Sequence, residues 1–300
     1  MHELEVEDRW RVELPELSAL ALRLREGAPP ELVGVGDRDF SVFTGDSHRP
    51  GASAVSSDLR GAVGNSDPDS ASQWEGVAVD GAGCPFVLEE HAEEKEDPSH
   101  VFVLEADLSN PVCVIALVVE GDDEEWKESW TEHKNARAEA LALLRDGHLL
   151  VAKQKDPVRL IEFGPRGGQP GGLAPSRFLE RGKPFEYPPG TTAEYEPLAS
   201  WGLAGKDRDE LETVNDLAVH DRTLYAISRK SQRIVRLETG ASPDDDSVKV
   251  EDCWRVPADV LNPEGLAIVD ELVPVVADDL SDDEDTGGPN IFILGHLGRG

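Results

Sequence analysis

An all-β propeller, a ring of four-stranded blades around a central channel, is predicted by three features of this 300-residue sequence. A hairpin-like unit recurs along the chain, each copy is trailed by a third short β-branched run, and a segment near the N-terminus nearly duplicates one near the C-terminus. Self-similarity of this kind marks repeat architectures, and short strands bounded by turn residues mark the β class.

The hairpin copies are EGVAVDGAGCPFVLEE (75–90), EALALLRDGHLLVAKQ (139–154), NDLAVHDRTLYAISR (215–229) and EGLAIVDELVPVVADD (264–279), with a weaker copy, SALALRLREGAPPELVGVGDR, at 18–38. Each opens on a small or polar residue, continues through an x-Ala-aliphatic core and a turn, and closes on an apolar run with a polar end. The third runs are FSVF (40–43), HVFVLE (100–105), RLIEF (159–163), RIVRLE (233–238) and NIFIL (290–294). Fourth strands are expected at VCVIALVVE (112–120), PLASWGL (197–203) and VKVEDCWRV (248–256), and more weakly somewhere within 52–64. The last copy has no successor after NIFIL. Its missing strand is supplied by VEDRWRV (6–12), which nearly repeats VEDCWRV (250–256). An N-terminal strand added to the last blade closes the ring and removes exposed edges. Five blades are counted, and six if 44–74 or 164–200 holds a degenerate one. A β-sandwich would alternate in the same way but would not keep one marker spacing.

The reading is of one domain over 1–300 with long inserts at about 44–72, 121–137 and 164–193, which read as polar loops. Within the second insert, 124–138 has the composition for one or two helical turns. Trp126 and Trp130 are four apart there and share a face if it is helical. That segment is the expected partner-binding surface.

Lys and Arg number 29 against 61 Asp and Glu, a formal net charge of −32. Such a chain repels phosphate backbones, so nucleic-acid binding is not expected, and a basic protein, a cation or a small polar ligand is the favoured partner. An acid excess with little lysine suits a high-salt cytoplasm, and equally a merely acidic surface. Cys84, Cys113 and Cys253 have no metal-binding spacing and read as reduced cysteines of a cytoplasmic protein. The opening MHELEVEDRW lacks the basic and apolar regions of an export leader, and the longest apolar run, 112–119, is too short to span a membrane.

Hairpin geometry brings the start of one strand beside the end of the next. The opening markers Ser18, Glu75, Glu139, Asn215 and Glu264 and the closing markers Asp37, Glu89, Lys153, Ser228 and Asp278 are therefore expected at one mouth of the channel. Arg38, Glu90, Gln154, Arg229 and Asp279 follow on the rim. Two readings stay open. The polar starts tie their own turns, or the carboxylates hold a hard cation, calcium or magnesium. Lys153 could simply pair with Glu139. DDLSDDED (278–285) and Asp244-Asp245-Asp246 lack the alternation of a calcium loop and read as solvated charge. His148 is expected as a surface residue in a turn at the opposite mouth, with His91 and His220 nearer the markers. No G-x-S-x-G, phosphate-binding loop or H-E-x-x-H occurs.

WEGVAVDGAGCPFVLEE, EALALLRDGHLLVAKQ and VGDRDFSVF resemble the blades of the phytase-like esterase and SdiA-regulated propellers, over about 25–296. The resemblance implies a toroidal propeller, often with calcium in an acidic channel, and in some members ester or phosphoester hydrolysis. Carried over, it makes Glu75, Glu89, Glu139, Asn215, Glu264 and Asp278 the channel's carboxylates and amide. The chain departs from it in an opening segment that does not read as an export leader, in Lys153 where an acid is expected, and in showing only five clear blades. Combined with the marker ring, the enzymatic expectation is a calcium or magnesium ion on Glu75, Glu139, Asn215 and Glu264, with Glu89 or Asp278 as base. The rival is a non-catalytic scaffold.

The charge balance makes one prediction on its own. Self-repulsion among −32 charges is screened by salt. The melting temperature is expected to rise between low and molar sodium chloride, and a flat profile would remove the high-salt reading.

Overall fold

The computed structural model describes residues 2–298 apart from 15, 26, 48, 57, 68, 91–96, 122–123, 133–136, 181, 188–189, 205–210 and 281–286. Two short strands open the chain, β1 (His2–Glu3) and β2 (Val6–Trp10). A first antiparallel unit follows with β3 (Leu17–Arg23), β4 (Glu31–Gly36), β5 (Val42–Asp46) and β6 (Arg49–Val55). The second has β7 (Trp74–Val79), β8 (Pro85–Glu89), β9 (Ser99–Leu104) and β10 (Pro111–Leu117). After the helix α1 (Glu125–Glu132) comes a third, β11 (Ala138–Leu143), β12 (Leu149–Lys153), β13 (Arg159–Pro165) and β14 (Thr192–Ala204). The fourth is β15 (Asp216–His220), β16 (Thr223–Ser228), β17 (Arg233–Leu237) and β18 (Ser247–Arg255). The last is β19 (Pro263–Val269), β20 (Val273–Asp278) and β21 (Ile291–Leu294), and β2 supplies its outer strand, with Trp10 opposite Ile291 and Val6 opposite Leu294. The duplicated VED-x-WRV segments thus occupy corresponding outer positions in neighbouring units. β1 also pairs with β18, and β14 pairs in parallel with β10 and with β18, which stitches outer edges together.

Inner strands β3, β7, β11, β15 and β19 pack in sequence and return to β3, so the units form a ring. Apolar clusters fill the spaces between consecutive units, for example Val77, Val87, Phe102, Ala19 and Val33 between the first and second. Leu17, Leu20, Ala267 and Val275 close the space between the last unit and the first. Because side chains alternate along a strand, each inner strand serves both neighbours, which is why these strands read as nearly continuous apolar runs.

Four of the five hairpins carry a bulge at the opening marker. Pairing is irregular between Leu17 and Ala19, Trp74 and Gly76, Ala138 and Ala140, and Pro263 and Leu266. Ser18, Glu75, Glu139 and Glu264 sit in those bulges, and a bulge re-aims the side chain it carries. Beyond each marker the channel is layered. Leu20, Val77, Leu141, Leu217 and Leu266, one per inner strand and each at most 3% exposed, form an apolar plug. Two residues further along come Leu22, Val79, Leu143, Val219 and Ile268, which line a cavity opening at the far mouth.

Asp216 stands at a position where the other inner strands carry Ala19, Gly76, Ala140 and Gly265. Fully buried, it accepts hydrogen bonds from the backbone N–H groups of Leu20 (3.1 Å), Leu266 (2.7 Å) and Leu217 (2.8 Å). One carboxyl group therefore joins β3, β15 and β19. Close approach is needed here. A Cβ on Gly265 would lie 3.0 Å from the backbone of Ala19 and Leu20.

Several sequence expectations are corrected. The first insert is not wholly loop, since β6 lies within it. Trp126 and Trp130 lie on α1 but are 1% and 2% exposed, buried with Phe163 and Leu141 between the second and third units. Their rings fasten the helix and are not offered to a partner. His148 is also buried, its Nδ1 2.6 Å from Glu162 Oε1. Glu162 in turn accepts from Gly171 N and Gly172 N, each at 3.0 Å, and from Arg177, so it anchors the third insert to β13. Burial works against charge on Glu162, yet the bonds from His148, Gly172 and Gly171 hold its carboxyl below the ordinary range. His220 ends β15 and lines the far cavity, not the marker mouth. His91 and most of the acidic run 278–285 lie outside the described residues. Among the described residues no helix is long and apolar enough to cross a membrane.

Replacing Asp216 with Ala leaves buried backbone donors without acceptors, each worth roughly 1–3 kcal/mol. Asp216→Ala is expected to cost about 3 kcal/mol or more in urea unfolding, and Asp216→Asn, which keeps one acceptor oxygen, distinctly less. Equal, small losses for both would show that Asp216 does not tie the ring.

Candidate functional site

The bulges decide which closing residues reach the marker mouth. Gly36, Glu89, Lys153 and Asp278 pair opposite Leu17, Trp74, Ala138 and Pro263. The next residues donate backbone N–H bonds across the hairpin start, Asp37 to Glu16 O, Glu90 to Gln73 O, Gln154 to Arg137 O and Asp279 to Asn262 O. Their equivalence makes Asp37, Glu90, Gln154, Arg229 and Asp279 one column. The expected closing column mixed two registers.

The residues of this column meet the opening markers. Gln154 Nε2 donates to Glu139 Oε1, and Arg229 Nη1 lies 2.6 Å from Glu264 Oε1 and 3.4 Å from Asp279 Oδ2. Arg38 Nε bonds Glu16 Oε2 at 2.9 Å. Glu90 Oε1 accepts from Arg137 N at 3.1 Å. Carboxyl groups of Glu16, Asp37, Glu75, Glu90, Glu139, Glu264 and Asp279 thus crowd one mouth, with Arg38 and Arg229 among them.

Their electrostatics follow from crowding and burial. Burial pushes Glu75 and Glu139 well above the ordinary carboxylate range; the charges of Glu264 and Glu90 add to both, and that of Glu75 adds to Glu139. Burial raises Asp37 from 3.8 to about 8, reinforced by Glu16, Asp279 and Glu264. Glu90 and Glu264 are both pushed up from 4.5 to about 7 by burial, against the pull of Arg137 and Arg229 respectively. Deeper in, burial raises Asp216 while its backbone N–H partners pull it back. Crowding several acids at one mouth disfavours their ionisation, and a positive charge placed there would favour it.

The expected site residues divide. Glu75, Glu139 and Glu264 stand at the mouth. Asn215 stands there too, but its Oδ1 accepts from Thr213 Oγ1 (2.8 Å) and Arg229 N (2.9 Å), and Nδ2 donates to Glu139. The bond from a backbone N–H fixes the amide orientation, so its oxygen is turned away from an incoming cation. Glu89 Oε2 bonds Nδ1 of His100, its cross-strand neighbour, at 2.9 Å. Asp278 accepts from Leu261 N and Asn262 N and fastens the loop before β19. Lys153 does not pair with Glu139. Its buried ammonium donates to the carbonyls of Lys155 and Asp156, and burial lowers it to about 8. The donors at the mouth are hard oxygens, suited to calcium or magnesium. Among the described residues no three Asp, Glu, His or Cys side chains converge as a ready-made metal site. Sequence reasoning set Glu90, Gln154, Arg229 and Asp279 on the rim and left out Glu16 and Asp216. For Asp216 the signal was an acid in a column otherwise of Gly and Ala.

Comparison with known proteins bears on the fold. No family model matches the chain, and no curated protein sequence does. Among solved structures, the PQQ-bound aldose sugar dehydrogenase of Streptomyces coelicolor aligns with a TM-score of 0.51 and 10% identity over 97% of both chains. A putative oxidoreductase (glucose dehydrogenase) of Thermus thermophilus aligns with a TM-score of 0.50 and 13% identity, over 97% of this chain and 100% of that one. The chain folds as a β-propeller. At such identities the likeness is one of architecture, and the chemistry has to come from the mouth itself.

The raised values fix a pH dependence. Between about pH 4 and about pH 8 the folded mouth keeps protons that the unfolded chain has released, so stability contributed by Asp37, Glu90 and Glu264 is lost as pH rises through that window. The melting temperature is expected to fall from pH 5 to pH 8, and to fall less in a Glu90→Gln/Glu264→Gln double variant. Parallel profiles for the two proteins would contradict the crowded mouth.

Proposed function

We propose that the acidic mouth of this propeller binds a divalent cation, calcium or magnesium, through Glu75, Glu139 and Glu264 with Asp37 and Glu90 beside them. The observation that carries this reading is the gathering of carboxyl groups from four of the five units at one mouth, where burial and their mutual repulsion disfavour ionisation. The Glu75 carboxyl has no hydrogen-bond or ion-pair partner among the described residues, so only burial and like charges act on it. Because the donors surround the mouth without converging, a cation that retains part of its water shell suits them better than a fully dehydrated one. Binding relieves the repulsion that now holds protons on the mouth, so affinity rises with pH.

Binding is preferred to hydrolysis of the phytase-like kind for a specific reason. Glu89 and Asp278, the expected bases, are held in hydrogen bonds to His100 and to the loop before β19. The resemblance to phytase-like and SdiA-regulated blades supports an acidic channel, which this reading keeps.

Calcium is expected to raise the melting temperature by about 5 °C or more at a hundredfold excess over Kd. The Glu75→Gln/Glu264→Gln double variant should lose that response while melting, in chelator, no lower than the unsubstituted protein. If chelated and calcium-loaded protein melt alike and no metal copurifies, the mouth is not a cation site.

A further inference from the structure

The far half of the channel is chemically unlike the mouth. Beyond the plug it widens into a cavity of about 510 Å³, lined by Leu22, Val79, Leu143, Val219 and Ile268. That volume lies within the roughly 300–1,000 Å³ of small-molecule sites. Val219 is 37% exposed, one of few large apolar side chains so open among the described residues. The aliphatic part of the wall offers water no hydrogen bonds, so water against it is readily displaced.

The third insert builds one wall of this cavity. Leu179 N donates to Leu143 O at 3.1 Å, Gly81 N to Lys183 O at 2.8 Å, and Phe185 N to the buried Asp80 Oδ2 at 2.9 Å. A Cβ on Gly81 would lie 2.1 Å from the backbone of Gly182 and Lys183, so only glycine admits this contact. On the other side Glu180 bonds both Arg145 and Arg222, the latter at 2.7 Å. The insert therefore runs across the far mouth from the second unit to the fourth and narrows it, with Leu179 added to the lining.

The rim charges are already engaged within the protein. Asp80 Oδ1 takes the N–H groups of Ala82 and Cys84, Glu180 is shared by Arg222 and Arg145, and His220 Nε2 lies 3.6 Å from Oδ2 of the exposed Asp221. A charged ligand entering the aliphatic part of the cavity would lose its hydration without a charged partner at that depth. We propose that the far half of the channel is a binding site for an uncharged, largely apolar small molecule, entered beneath the third insert. The imidazole of His220 is placed to meet one polar atom of such a ligand at the rim. This site is separate from the acidic mouth, behind the plug, and does not depend on cation binding.

The test is fluorescence titration with the uncharged probe N-phenyl-1-naphthylamine. Saturable one-to-one binding is expected, weakened about tenfold or more, some 1.4 kcal/mol, by Val219→Trp and by Leu22→Trp, which fill the cavity from two different strands. Both side chains are partly exposed, so a larger ring can be accommodated, and thermal melting confirms that each variant folds. Leu261→Trp, at an exposed position outside the cavity, should leave the titration unchanged. The anionic relative 1-anilinonaphthalene-8-sulfonate should bind more weakly than the uncharged probe. Absence of saturation, binding that survives both cavity-filling substitutions, or preference for the anionic probe would each overturn the proposal. None of these readouts involves calcium, so their failure would leave the mouth's cation binding to its own test.

Discussion

The ring depends on how its inner strands are joined at the axis. Each inner strand is the edge of its unit, with backbone groups facing a channel too narrow to hydrate them freely. Asp216 meets that constraint by accepting from Leu20, Leu217 and Leu266, so β3, β15 and β19 share one acceptor. The neighbouring inner strands carry Gly or Ala at the same level, which lets their backbones approach. Gly76, for example, would place a Cβ 3.3 Å from the carbonyl of Glu139. An acid that looked like one more charge in an acidic chain thus ties three backbone segments at the axis.

The two-residue period of the strands does the rest. A marker, an aliphatic two residues on and another aliphatic two beyond that recur in every inner strand, and stacking them around an axis produces a polar mouth, a plug and an apolar cavity. Opposite chemistries can then occupy one short channel without conflict. The mouth concentrates carboxyl groups whose repulsion is only partly offset by Arg38 and Arg229. The far half hides its charges in pairs and leaves aliphatic surface open. The distinction between crowded and dispersed acids cannot be drawn from net charge.

Much of this was legible in the sequence. The recurring hairpins, the third runs and the duplicated VED-x-WRV segments predicted the ring and its closure by the N-terminal strand, because hydrophobic alternation and turn residues are local signals. The positions of Glu75, Glu139 and Glu264 were legible for the same reason. Side-chain partners were not. Trp126 and Trp130 share a helical face as expected, but periodicity gives no sign that the face turns inward onto Phe163. His148 sits in a turn, and its burial against Glu162 needs the third insert to fold back over it.

The closing column shows most clearly where sequence reading stops. Glu89 and Glu90 are adjacent and chemically identical, yet one bonds His100 and the other stands in the mouth. A regular ladder would send the opener and its partner across the hairpin to the same face. A single bulged residue at Glu75 shifts the register at the strand end, and the side-chain period of two converts that shift into a change of face. Since Ser18, Glu139 and Glu264 sit in corresponding bulges, the same exchange occurs around the ring, moving Asp37, Gln154 and Asp279 inward together. Asn215 stands just before β15, its backbone N–H bonding Ile227 O, the residue paired with Asp216, and there the amide turns its oxygen to Arg229 N. The acidity of the mouth is therefore set as much by a repeated backbone irregularity as by the residues that the repeat displays.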